Sequence, residues 1–547
     1  MTRLYNRRQM LKLTGSAVGT GIAGAQFSFS AEPGASPSDG LVAGEINGAA
    51  TGNKILKQGG NAIDAIVGAA LVSAIAGPAR CGIGGYGGHM IISLSGGKKI
   101  TAIDFNSTAP AAAKENMFPL DERGAVRGKV NDFGWLAAGV PGTLAGLALA
   151  LDRYGTRPFR EIVALAIELA REGFIINQGL SNGIRSILPR VQADPASAML
   201  LLKNGEPLQV GERFVNPDLA QMLETLAKRN SVDSFYRGDI AGQIAAEFGK
   251  HGGLVTTSDL AAYHAREVEP LRFKWGNLTL WTAPLTAGGL TIIEALSILK
   301  DLNWSTLPAG PERTFARLEA LRLAWSDRLQ LLGDPEKVKV PVRRLLSDEY
   351  AHSLASKVQG AVREHKPLAL QTESRSQSGT THLNSIDGHG NMVSLTLTHG
   401  NSFGACVTVE GLGLTLGHGM SRFNPQPGHP NSPGPGKRPL HNMCPTIVLR
   451  DSTPVLAIGG TGGRMIPNAI FDVLTHYIAL GASLDEAIAA PRLHTEGNLH
   501  LRMEPRWSAA DVEYFKTLGY TLESANSANV QALSFDPRTG AMHSAAR

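Results

Sequence analysis

Apolar and polar positions along the 547-residue chain fall into two regimes that meet near Thr380. Before it, a spacing of three and four residues predicts helices over 143–153, 159–172, 216–229, 241–250, 289–301 and 312–331. Lys54–Lys57 runs into Gln58-Gly59-Gly60-Asn61, a helix stop followed by a fresh start at Ala62. Ala62–Ala76 is apolar except for Asp64, Gly68 and Ser73, which predicts a buried helix rather than a membrane span. Residues 40–110 read strand, helix, glycine-rich loop, strand, the last strand at Ile100–Phe105. Residues 352–378 turn polar and end in Glu373-Ser374-Arg375-Ser376-Gln377-Ser378, which predicts an exposed, flexible stretch open to cutting.

After Thr380 the period shortens to two. Thr381–Asp387 and Asn391–Thr398 predict two strands around Gly388-His389-Gly390. In the second, Val393, Leu395 and Leu397 alternate with Ser394, Thr396 and Thr398, so one face is apolar and one carries hydroxyls. With His389 at the centre of the turn, Thr380 faces Thr398. Residues 424–439, rich in Pro and Gly, predict an ordered loop or lid. Thr446–Arg450 and Val455–Ile458 are further strands. They lead through Gly459-Gly460-Thr461-Gly462-Gly463-Arg464 into a helix from about Ile466, a turn that points free N–H groups at an anion.

Composition narrows the class. The chain is 43% hydrophobic, enough for a large α/β core. Its net charge of +5 is scattered, with no basic run among aromatics, which argues against nucleic acid. Cys81, Cys406 and Cys444 give neither a disulfide framework nor a zinc site. Gly82-x-Gly84-x-x-Gly87 formally matches a dinucleotide loop but lacks the βαβ frame and the acidic residue beyond it. No metal or organic cofactor is expected. At the N-terminus Asn6-Arg7-Arg8-Gln9-Met10-Leu11-Lys12 precedes a weakly apolar run to about Ala25. Residues 1–31 therefore read as a twin-arginine signal peptide, implying a periplasmic or secreted protein with no stable membrane insertion.

The chemistry concentrates at Gly379-Thr380. A threonine in mid-chain is a poor nucleophile. Made into a new N-terminus, it brings its own base, because the α-amine has a pKa of about 7.7–8.0. Cleavage there divides the precursor into a large subunit, 32–379, and a small catalytic one, 380–547.

Other stretches fall in order along the chain: Ile55–Ala65, Gly82–Gly88, Ala102–Phe105, Gly139–Thr143, Thr380-Thr381-His382, Phe403-Gly404, Lys437–Leu440, Pro445–Val448 and Ala490-Pro491-Arg492. Together they resemble the γ-glutamyltransferase (γ-glutamyltranspeptidase) family of N-terminal nucleophile hydrolases. The resemblance implies a four-layer αββα sandwich and a heterodimer formed by autoproteolysis. It implies an acyl-Thr380 intermediate in the hydrolysis or transfer of a γ-glutamyl or related acyl amide; water rather than an amine is the expected acceptor. Thr398 would hydrogen-bond the nucleophile, and Gly462 and Gly463 would hold the oxyanion.

The acyl-recognition positions depart from the family. Asn106 stands where the family has an arginine, Gly400 where it has an Asn (with Asn401 beside it), and Gly419 where it has a Gln. Arg422 replaces an Asp, and His441-Asn442 replaces a serine pair. An arginine in place of an acid opposes a substrate ammonium. The expectation is that Arg422, helped by His441 and Asn442, binds a carboxylate or other polar group on a substrate without a free α-amine. The alternative is an uncut scaffold that binds a ligand without turnover.

Overall fold

A computed structural model describes residues 39–370, 372 and 379–547. The twin-arginine leader and the polar run 373–378 lie outside the described residues. Twelve strands form the centre. In chain order they are β1 (Leu41–Ala43), β2 (Gly87–Leu94), β3 (Lys99–Asp104), β4 (Arg266–Val268), β5 (Leu271–Trp275), β6 (Leu278–Thr282), β7 (Thr381–Ile386), β8 (Met392–Thr398), β9 (Thr446–Arg450), β10 (Thr453–Thr461), β11 (Asn529–Asp536) and β12 (Ala541–Ala546). They make two six-stranded antiparallel sheets, ordered β1–β7–β8–β2–β3–β4 and β12–β11–β10–β9–β6–β5. Both draw strands from either side of Thr380.

The sheets face each other through Ile91, Ala102, Ile386 and Met392 on one and Ile447, Leu449, Ala457 and Leu533 on the other. Helices α1 (Ile46–Lys57), α2 (Ala62–Ala76) and α3 (Thr143–Tyr154) cover the outer face of the first sheet. Helices α4 (Gly289–Asp301), α5 (Pro311–Leu331), α6 (Asp348–Glu364) and α7 (Met465–Leu474) cover the second. The result is the expected αββα sandwich. Helix α2 is buried on every side, and Asn61 caps it by accepting from Ile63 N and Asp64 N while Asp64 returns the bond to Asn61 N.

Two expectations need correction. The helix expected over 159–172 breaks at Val163 into Phe159–Ile162 and Ala164–Glu172. The polar stretch from 352 is helix as far as Glu364, because Ala351, Leu354, Ala355, Val358 and Ala361 form a buried stripe beneath the charges. Among the described residues no helix is long and apolar enough to cross a membrane.

Helix α5 binds the part of the chain after Thr380 repeatedly. Arg317 pairs with Asp472 at 3.0 Å, Arg322 Nε donates to Gly497 O at 2.9 Å, and Trp325 Nε1 donates to Asn468 Oδ1 at 2.6 Å. Arg328 Nη2 donates to His441 O at 2.7 Å.

Candidate active site

The β7–β8 hairpin pairs Thr381 with Leu397 and His382 with Thr396, the register that carries Thr380 opposite Thr398. Asp387 pins that register. Its Oδ1 accepts from His389 N and Asn391 N, and its Oδ2 accepts from Ala62 N, an otherwise unpaired donor in the first turn of α2. As expected, Val393, Leu395 and Leu397 pack toward the helices. On the hydroxyl face Ser394 Oγ donates to Ile458 O in the second sheet at 3.0 Å.

The peptide carbonyl of Gly379 is the focus of this face. Thr380 Oγ1 donates to Gly379 O at 2.6 Å and Thr398 Oγ1 donates to the same oxygen at 2.5 Å. The two hydroxyl oxygens are 3.5 Å apart, and Gly400 N donates to Thr398 Oγ1 at 2.7 Å, which aims its proton at the carbonyl. His382 is spoken for. Its Nδ1 meets Thr396 Oγ1 at 2.8 Å, its Nε2 meets Asn384 Oδ1 at 3.1 Å, and burial holds it down at about 3. Beyond β10, Gly462 and Gly463 adopt φ of +137° and +63°, and neither peptide N–H is taken up by a described acceptor. Thr461, just before them, shares a cavity of about 1360 Å³ with Thr380.

The recognition positions sort into two groups. Asn106 is turned to internal work, its Nδ2 donating to Thr286 Oγ1 and to Pro439 O, both at 2.7 Å. Both ring nitrogens of His441 are also engaged. Nδ1 accepts from Met443 N at 3.2 Å, so Nε2 carries the proton and donates to His89 Nδ1 at 2.9 Å. His89 Nε2 then points at Asp104 Oδ1, 3.4 Å away, and Asp104 is also met by Arg266 and Arg438. Burial depresses both histidines, His89 to about 4, so the pair is neutral near pH 7. Gly419 leaves room for Ser107, whose Oγ lies 2.7 Å from where its Cβ would stand.

Arg422, Asn442, Arg328 and Arg464 instead line a cleft of about 630 Å³, whose wall includes Leu370 and Thr372. Arg422 is buried, not solvent-facing. It shares the acceptor His418 Nε2, at 3.0 Å, with Asn401 N. Gly400 joins this cleft to the hydroxyl pair, since it bonds Thr398 on one side and abuts Arg422 on the other. Sequence reasoning missed Arg328, His89, His418 and Asp387. Only Asp387 carried a local signal, the Asp-Gly of a turn.

Comparison with known proteins bears on the family and the fold. The family described as Gamma-glutamyltranspeptidase matches residues 48–547. The chain is 36% identical over 515 residues to the glutathione hydrolase proenzyme of Escherichia coli K12, covering 87% of each chain. It is 35% identical over 483 residues to the acylase ACY 1 proenzyme of Pseudomonas sp. SE83, covering 87% of this chain and 86% of that one. The crystal structure of cephalosporin acylase from Bacillus halodurans superposes with a TM-score of 0.83 at 27% identity, covering 96% of this chain and 97% of that one. Family match and overall superposition agree, and the chain belongs to the γ-glutamyltranspeptidase family of N-terminal nucleophile hydrolases, enzymes of amide hydrolysis and acyl transfer.

Proposed function

We propose that the chain is a self-processing threonine amidohydrolase whose acyl pocket no longer suits a γ-glutamyl group. The observation that carries this reading is the pair of hydroxyls, Thr380 and Thr398, gathered on the Gly379 carbonyl. In processing, Thr380 Oγ1 attacks the Gly379 carbonyl carbon. The Gly379–Thr380 C–N bond breaks, the nitrogen takes the hydroxyl proton, and an ester forms. Thr398 stabilises the charge on the carbonyl oxygen as it builds. Water hydrolyses the ester, leaving a carboxylate on Gly379 and a free α-amine on Thr380.

In turnover the same hydroxyl attacks a substrate amide. The α-amine accepts its proton and passes it to the leaving amine. Gly462 and Gly463 N–H groups hold the oxyanion, each such donor being worth about 3–4 kcal/mol. Water then releases the acid from acyl-Thr380. Leu370 and Thr372, which precede the cut, wall the arginine cleft. Arg422 and Asn442 face the acyl group, and His441 positions Asn442 through its backbone. The leader directs export by the twin-arginine route.

Gel electrophoresis with N-terminal sequencing tests the first step. Two chains, the smaller beginning at Thr380, are expected from the wild type and one chain from Thr380→Ala. Mass spectrometry of acyl-Thr380 tests the second. A wild-type chain that stays whole and takes up no acyl group would overturn the proposal.

A further inference from the structure

The positive charges of the acyl cleft do not balance. Arg464 is paired with Glu496 at 2.5 Å. Arg328 and Arg422 are only 3% and 7% exposed, and neither forms an ion pair with any described residue. Arg328 gives Nη2 to His441 O and to Asn442 Oδ1, while its Nη1 has no hydrogen-bond partner among the described residues. Arg422 gives Nη2 to His418 Nε2 and leaves Nε without a partner among the described residues. Burial lowers Arg422, and Tyr86 and then Asp132 act against that electrostatically. Burial holds Arg328 down to about 10, which records the cost of keeping it charged there.

A guanidinium taken out of water costs several kcal/mol unless an anion answers it. Here two are held in one cleft whose described hydrogen-bond acceptors for them are neutral, with hydrogen-bonding nitrogens to spare. Planar forks of this kind bind carboxylate and phosphate oxygens in pairs. A single carboxylate would neutralise one of them and leave the other as costly as before. A substrate ammonium would add a third unanswered positive charge.

We infer that the cleft takes an acyl group with a dianionic head, either two carboxylates or one phosphonate-type group, and no ammonium, held by Arg422 and Arg328 together. This rests on the acyl-Thr380 reading for its chemistry but not for its binding. Arg422, which abuts Gly400 next to Thr398, lies on the nucleophile's side of the head. Arg328, anchored on His441 O and Asn442 Oδ1, lines the same cleft.

Five p-nitroanilides of equal reach test the inference on the purified protein. Their acyl groups are pentanoyl, glutaryl, γ-glutamyl, 4,4-dicarboxybutanoyl and 4-phosphonobutanoyl. In the fourth, a second carboxylate stands where γ-glutamyl has its ammonium. At least one of the last two is expected to exceed glutaryl tenfold or more in kcat/KM, with γ-glutamyl below glutaryl. Which of the two leads tells a dicarboxylate head from a phosphonate one. Arg328→Met is expected to erase the advantage over glutaryl, and Arg328→Lys to restore part of it. Glutaryl or γ-glutamyl equal to or better than both dianions would overturn the inference.

Calorimetric binding of the free acids propane-1,1,3-tricarboxylate, 4-phosphonobutyrate and glutarate needs no nucleophile and no variant. Tighter binding of either dianionic head without turnover supports the cleft and fails the threonine. Turnover with no preference among the acids does the reverse.

Discussion

The side chain that Gly400 lacks would begin 3.0 Å from Nη2 of Arg422 and closer still to the ring of His418. The two positions are therefore complementary: the His418 ring, with the guanidinium bonded to it, occupies the space that a residue at 400 would fill. Gly400→Asn meets both that crowding and a φ of +103°. It should cost about 1–3 kcal/mol. Differential scanning calorimetry should show a lower Tm, and assays a raised KM for carboxylate-bearing anilides. An unchanged KM would separate Arg422 from acyl binding.

Thr398 supplies one of two donors to the Gly379 carbonyl. Thr398→Val removes it with little change of volume. Loss of one such donor slows acyl chemistry by about 100- to 1000-fold. The fraction of freshly made chain cut before Thr380, followed on gels over time, should fall accordingly, and Thr398→Ser should recover most of it. Cutting of the valine variant at the wild-type rate would show that the carbonyl is polarised by another group.

His89 stands between Asp104 and His441, accepting from His441 Nε2 and facing Asp104 with its other ring nitrogen. His89→Phe leaves His441 Nε2–H buried without an acceptor, at a cost of about 1–3 kcal/mol. His441→Phe in the same chain removes the stranded donor, so the double variant should be less destabilised than the sum of the two. A double-mutant cycle on urea midpoints measures the coupling, and strict additivity would refute the pair.

Acid should unfold the protein through its buried neutral imidazoles. Burial holds His89 at about 4 and His382 and His399 at about 3. In the unfolded chain each takes its proton near about 6.5. Below that pH the unfolded state binds more protons, so stability falls as pH drops toward the folded values. The loss is up to about 1.4 kcal/mol per pH unit for each histidine. Urea midpoints should decline markedly from pH 7 to pH 5, and a flat profile would contradict this.

Glu294 has the opposite sign. Burial, reinforced by Asp327, holds its carboxyl well above the usual range. As pH rises past the unfolded value, the unfolded chain releases a proton that the folded chain keeps, so the group weakens the fold toward alkaline pH. Glu294→Gln should raise the Tm at pH 8 and leave it nearly unchanged at pH 4. A lower Tm at pH 8 would place a stabilising charge there instead.

Local pattern carried the hairpin register, because the side-chain period of two and a short turn leave one pairing that buries Leu395 and Leu397. It also carried α2, whose apolar residues run without a break wide enough to expose a face. Helix α6 was misread because Lys357, Arg363 and Glu364 outweighed a buried stripe already present at three- and four-residue spacing. Arg328 could not be singled out. On α5 it is one arginine among several, and its role depends on His441, 113 positions away. The His89–His441 pair spans 352 positions. Such contacts are set by sheet packing, not by neighbours in the chain.

Helix α5 closes the account of the cut at Gly379. Its bonds from Arg317, Arg322, Trp325 and Arg328 to Asp472, Gly497, Asn468 and His441 would all become bonds between two polypeptides. The two sheets, each mixing strands from both pieces, would do the same. Neither piece then owns a complete core. In a chain cut there, the peptide bond at 379–380 would serve to bring the halves together during folding, and the packing alone would then have to hold them as one body.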